Sequence, residues 1–245
     1  MTIALLLHGA AVLSRALPLH PTDRRSIRLA RGCGSEVIAI EISAGGEEAN
    51  GALEEAIGAG ATRAVHVSDL VLGSSDAHTA GFVAAAAISS LDVDVVLFGT
   101  DAAPEYALDI PASVAFHLGA PFFTDVETLS PSASLDVDNN TGAGALELLL
   151  RRNGWLQTLR IPAAAVIGIS PTREPASASN DSSTRPENEP DKAIRIETLS
   201  FDMLGIDPAL IRRRTRARGN IVDVSRAPVT LHSLAALEEL LRPSG

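Results

Sequence analysis

Aromatic residues are scarce: Phe, Tyr and Trp make up 3% of the 245 residues, against 46% hydrophobic in all. A core built from such a chain must use Ala, Val, Ile and Leu, which suits parallel strands lying under small-residue helix faces. Cysteine occurs once, at Cys33, so an internal disulfide and a cysteine-built metal site are excluded, and a reducing, cytoplasmic setting is expected. Positive charge is also in deficit, with 20 Lys and Arg against 30 Asp and Glu and a net charge of −10. Neutralising nucleic-acid phosphates needs a basic face, so a nucleic-acid partner is not expected. The local basic stretch IRRRTRAR at 211–218 reads as a solvated or partner-facing patch. Long hydrophobic runs are missing as well: the apolar stretch around 81–99 is broken by Asp92 and Asp94, which excludes direct membrane insertion. The opening MTIALLLHGA lacks a basic leader and reads as a first strand rather than a signal segment.

What is present is an alternation of short apolar runs and amphipathic stretches. TIALLLH (2–8) and SEVIAIEIS (35–43) have strand length and β-branched content. Between them PTDRRSIRLARG predicts a helix entered at Pro21 to Asp23 and stopped at Gly32. In residues 45–60, Ala49, Leu53, Ala56 and Ile57 recur at helical spacing, and the strand RAVHVSD (63–69) follows. A Ser/Asp cap at 74–76 leads into a helix, then a buried strand at 92–100 ending in Gly99, then a loop and the helix IPASVAFHLG with Pro111 in its first turn. This order predicts an α/β fold with a parallel, Rossmann-like sheet. Ligands in such sheets sit beyond the carboxyl ends of the strands where strand order reverses, which directs attention to His8 and to Gly99 through Asp101.

The pattern changes after residue 144. Two strands are predicted around Asn153-Gly154, a two-residue hairpin signal, followed by a buried strand at 163–170. Residues 171–192 carry almost no apolar side chain and are read as a polar mobile loop. Residues 193–245 hold a strand-like AIRIETLS, the basic stretch and a leucine stripe at Leu234, Leu237 and Leu241; they are read as a C-terminal arm. The domain therefore spans 1–170, with the hairpin as an addition.

Four stretches in this order resemble the electron transfer flavoprotein beta subunit family. GSEVIAIEISAGGEEANGALEEAIGAGATRAVHV is similar to the family's second strand, helix and third strand. LDVDVVLFGTDA resembles its Val-Asp-Leu-Val-Leu-Xaa-Gly strand, and NGWLQTLRIPAAAVIGISPTREP its Leu-Glu-Thr-Leu to Leu-Pro-Ala segment with the Asn-Glu-Pro-Arg turn. HPTD at 20–23 stands where the family has Asn-Pro-Phe-Asp. The resemblance implies an adenine nucleotide alpha hydrolase-like (Rossmann-like) domain in a heterodimer with an alpha subunit that holds most of one FAD. It further implies electrons received from a flavin-linked dehydrogenase, and AMP or a second FAD in the beta subunit. The electron chemistry would be the flavin's, and no acid–base catalyst is assigned to this chain. The cofactor-binding positions implied are His8, Glu41, Ile42, Ser43, Gly99, Asp101, Asp109, Ile110 and Ser113.

The chain departs from the family pattern at the phosphate loop. The family's Asp-Thr-Gly-Gln run holds the phosphate through its Thr and the helix N–H groups, and here Ala107, Leu108 and Asp109 stand on its Thr, Gly and Gln. Asp109 places negative charge where phosphate should sit and is available as a helix cap, so the AMP site is read as degenerate. The family's long first hairpin and its aromatic residue near the flavin are reduced to GAAVLSRALPL, and its dehydrogenase-docking loop is replaced by the polar 171–192 segment. The scattered His66, His78, His117 and His232 lack metal-ligand spacing, GAGAT at 58–62 sits at the wrong end of a helix for phosphate, and no Gly-Xaa-Ser-Xaa-Gly elbow occurs. Two rival readings stand: a regulatory module similar to universal stress proteins that binds an adenine nucleotide as a homodimer, and a structural subunit without ligand.

Overall fold

A computed structural model of the chain describes residues 1–7, 18–33, 36–45, 48–74, 76–100, 109–132, 144–171 and 196–211. Its centre is a nine-stranded sheet. The strands, in chain order, are β1 (Thr2–Leu6), β2 (Glu36–Ser43), β3 (Arg63–Ser68), β4 (Val95–Gly99), β5 (Phe122–Ser132), β6 (Ala145–Arg152), β7 (Trp155–Pro162), β8 (Ala165–Ile169) and β9 (Ile196–Leu199). They lie in the order β7-β6-β5-β8-β4-β1-β2-β3-β9. All neighbouring pairs are parallel except β5 with β6 and β6 with β7.

Among the described residues four α-helices cover the sheet: α1 (Pro21–Gly32), α2 (Glu48–Gly58), α3 (Ala77–Ser90) and α4 (Asp109–Leu118). The signals that start them are local. His20 precedes Pro21 as the N-cap of α1, its Nδ1 accepting from the Thr22 N–H at 3.3 Å, and Asp76 caps α3 by accepting from the Thr79 N–H at 2.9 Å. Ile27 and Ala30 of α1 and Ala52, Leu53 and Ala56 of α2 pack with Ile3, Leu5, Val37 and Ala39 on one face of the sheet. Ala80, Val83 and Ala84 of α3 and Val114 of α4 pack with Ile38, Ile40, Val65 and Val96 on the other. Because both faces are covered, β2, β4 and β8 read as continuous apolar runs rather than alternations. Each fully buried Leu or Ile contributes on the order of 1.5–3 kcal/mol to this three-layer core.

Two features differ from the sequence expectation. Residues 122–132, to which the sequence assigned no element, form β5, which pairs parallel with β8 and antiparallel with β6 and so joins the hairpin to the main sheet. Ile196–Leu199, expected within a C-terminal arm, forms β9 beside β3, and Phe201 and Ile206 after it are buried in the α3/α4-side core. The chain divides into one unit of Met1–Arg214 and a second of Thr215–Gly245. Of the polar loop read at 171–192, residues 172–192 lie outside the described residues, as do the basic stretch from 212 and the leucine stripe.

The strand order fixes where a ligand crevice belongs. From β1 the chain steps outward to β2 and β3, then α3 returns it to β4 on the other side of β1. Order therefore reverses between β1 and β4, and the crevice opens past Leu6 and Gly99.

Candidate functional site at the carboxyl ends of the strands

The nine positions predicted from sequence separate into distinct environments. His8 and Asp101 lie outside the described residues. Gly99 is buried as the last residue of β4, and the following Thr100 donates its N–H to the Ile169 carbonyl at 3.0 Å. Asp109 is exposed as the first residue of α4. Ile42 and Ile110 are core residues of the α3/α4 side, 0% and 3% exposed. Ser113 faces α3: its hydroxyl donates to the His78 carbonyl at 3.2 Å. The structure thus brings Ser113 into a helix–helix contact.

Glu41 and Ser43 are brought together. Side chains alternate along a strand, so both point to the face carrying Val37 and Ala39, under α1 and α2. His66, the register partner of Glu41 in β3, shares that face, and its Nε2 lies 2.8 Å from the Ser43 Oγ. Asp23, in the first turn of α1, approaches from above and is itself 1% exposed. The result is a buried polar cluster at the end of β2, built from one helix and two strands. Glu41 is the first β2 residue beyond the last β1–β2 pair, Leu6 with Ile40. It therefore sits at the rim where β1 stops.

The electrostatics of this cluster are unusual for a core. Glu41 is 1% exposed, and among the described residues its Oε2 is a buried side-chain oxygen without a hydrogen-bond partner. Burial pushes the Glu41 carboxyl up to about 8, and the neighbouring Asp23 charge adds to the shift. Burial lowers the His66 imidazole below its ordinary value, so it is held neutral against Ser43. Leaving a carboxyl oxygen buried without a partner costs about 1–3 kcal/mol, so this group is held there by the surrounding fold.

Nearby positive charge is committed elsewhere. Arg25 of α1 donates to the backbone carbonyls of Ser170 and Glu127, at the ends of β8 and in β5, and Arg24 pairs with Glu55 at 3.0 Å. Among the described residues no three or more His, Cys, Asp or Glu are grouped to hold a metal ion. The cluster's groups, two acids, a hydroxyl and a neutral imidazole, suit hydrogen-bond donors; they do not suit a phosphate. Sequence reasoning gives Asp23 only as part of a helix start and His66 only as one of several scattered histidines. The available signal was a charged residue inside the apolar run of β2, paired in register with a histidine.

Comparison with known proteins decides the family. The electron transfer flavoprotein domain model matches residues 12–199. The chain belongs to the electron transfer flavoprotein domain family. Its relatives include the electron transfer flavoprotein subunit beta of Clostridium acetobutylicum, 31% identical over 127 residues, covering 50% of this chain and 46% of that protein. A second is the electron transfer flavoprotein subunit beta of Mycobacterium leprae, 31% identical over 90 residues, covering 36% of this chain and 34% of that protein. The chain thus aligns with less than half the length of either relative. As in the sequence expectation for this family, the domain is α/β with a mostly parallel sheet. No helix among the described residues is long and apolar enough to cross a membrane.

Proposed function

We propose that this electron transfer flavoprotein family member is the beta subunit of a cytoplasmic heterodimer. It helps pass electrons from a flavin-linked dehydrogenase to a downstream acceptor. The observation that carries this reading is the family match over residues 12–199, supported by two relatives named as beta subunits. An FAD held mostly by the alpha subunit would store and release the electrons. This chain supplies a rigid wall beside it and no acid–base catalyst: Glu41 and His66 are buried, 1% and 5% exposed.

The AMP phosphate site is degenerate in this reading. Ile42, Ile110 and Ser113 are committed to the core and to α3, while Glu41 and Asp23 bring acid to the end of β2. A phosphate there would meet the Asp23 carboxylate and a Glu41 that keeps its proton, neither of which supplies a compensating positive charge.

The test is co-expression with a candidate alpha subunit and purification through a tag on this chain, with the mass of the product read by sedimentation. One copy of each subunit is expected. A homodimer of this chain that ignores the partner would instead favour the stress-protein-like module.

A further inference from the structure

Strand β7 is an outer edge of the sheet, and among the described residues no strand lies beyond it. Its turn fixes which backbone groups that edge presents. Asn153 and Gly154, with φ of 50° and 83°, form a two-residue turn flanked by the opposed pair Arg152 and Trp155, and such a turn bonds the Trp155 N–H back to the Arg152 carbonyl. Bonding alternates along an antiparallel pair. Trp155, Gln157, Leu159 and Ile161 therefore bond to β6, while the N–H and C=O groups of Leu156, Thr158 and Arg160 point away from it. Pro162, which has no N–H, closes one end of this edge and the turn closes the other.

The side chains suit a partner as well. Trp155 and Leu156 are 74% and 53% exposed, and the chain places its single tryptophan here. Trp155 and Leu159 share the face of the buried Leu146, Leu148 and Leu150, so an added strand would extend that apolar row. β7 carries no acid and one cation, Arg160, whose side chain is 63% exposed, on a chain of net charge −10. An acidic segment is repelled by the chain as a whole and meets opposite charge at Arg160. We infer that β7 is the docking edge for an extended, acidic segment of the alpha subunit, which joins the sheet as an added strand with a carboxylate opposite Arg160. The inference rests on the heterodimer proposed above and names the surface it uses. Main-chain bonds to Leu156, Thr158 and Arg160 supply affinity, and the Trp155 and Leu159 side chains supply selectivity. The exposed Phe116 of α4 and Phe82 of α3 form a rival apolar surface, but helices present no open backbone edge to an extended segment.

The experiment is hydrogen exchange on the isolated full-length chain and on its complex with the co-expressed alpha subunit, read by mass spectrometry with fragmentation to single amides. In the isolated chain the Leu156, Thr158 and Arg160 amides are expected to exchange fast and those of Gln157, Leu159 and Ile161 slowly. In the complex the first three should slow by roughly tenfold or more, the scale of one added hydrogen bond. Thr158→Pro removes one outward N–H and keeps the bonds to β6, so it should fold by circular dichroism and bind the alpha subunit roughly tenfold more weakly. Arg160→Glu should weaken binding by a similar factor at low salt and by less at high salt. Phe116→Glu should bind like the parent.

A complex in which the three outward amides stay fast would overturn the inference, as would Arg160→Glu binding like the parent, a folded Thr158→Pro doing the same, or Phe116→Glu abolishing assembly. Outward amides already slow in the isolated chain would mean that a second copy holds the edge, and would overturn it too. Where the complex forms, only this inference falls; where no complex forms, the heterodimer reading falls with it.

Discussion

Gly81 of α3 and Ser113 of α4 cross so closely that a Cβ built on Gly81 would lie 2.4 Å from the Ser113 Cβ and 2.5 Å from its Oγ. Glycine is required here for proximity, since Gly81 lies inside a helix where alanine would otherwise be preferred by about 1 kcal/mol. The contact sets how α4 approaches the crevice. Gly81→Ala is expected to destabilise by about 1–3 kcal/mol, lowering the melting temperature by roughly 2–4 °C per kcal/mol. Adding Ser113→Gly should recover most of the loss. Thermal unfolding of the single and double variants checks this, and additive losses would show that the two residues are not coupled.

Glu41 gives the fold a pH dependence whose sign can be worked out. Its carboxyl ionises near 4.5 in the unfolded chain and near 8 in the folded one. Between those values the native state keeps a proton that the unfolded state has lost, so this contribution is full below 4.5 and is gone above 8. Native stability therefore falls by up to about 1.4 kcal/mol per pH unit across the window. Glu41→Gln removes that slope, so its stability relative to the parent should rise from pH 5 to pH 8 by a few kcal/mol. Urea unfolding at a series of pH values reads the difference directly, and parallel curves would contradict the assignment.

His66 has the opposite tendency. Its folded-state ionisation is lowered by burial, so the unfolded chain takes up a proton first as pH falls below 6.5 and stability drops with acid. Ser43→Ala leaves the imidazole without the hydroxyl 2.8 Å away. A loss of about 1–2 kcal/mol at pH 7 is expected in urea unfolding.

The hairpin offers a contrast between its two strands. Leu148 of β6 is 0% exposed and Trp155 of β7 is 74% exposed. Leu148→Ala should cost about 2–5 kcal/mol and Trp155→Ala within about 0.5 kcal/mol. Trp155 is the single tryptophan, so iodide quenching of the isolated chain's fluorescence reports its environment. Strong quenching is expected; a protected indole would mean that β7 is covered.

Where propensity, capping and turn chemistry agreed, the fold was legible in the sequence. Helix α1 runs from Pro21 to Gly32 as its signals predicted, and the Asn153-Gly154 hairpin has φ of 50° and 83° at those residues. β5 was not legible because its period is broken. Its register shifts on both sides of Val126, Asp125 adopts a φ of 63°, and Pro131 sits near its end. β9 was legible as a strand in AIRIETLS, but its place beside β3 was not, because it is short and half exposed. The candidate site was partly legible. Glu41 and Ser43 were among the positions implied by the family resemblance, but strands buried on both faces carry no alternation to show which way a side chain points. That a helix would set Asp23 over Glu41 follows from tertiary packing alone.

The central claim is that this chain works as one half of a flavin-carrying pair. The most direct measurement is the cofactor content of the complex purified through a tag on this chain and released by denaturation. The account predicts an alpha subunit in equal amount and close to one FAD per pair, with AMP well below one equivalent. A chain that purifies alone and colourless while the candidate alpha subunit is present would contradict it.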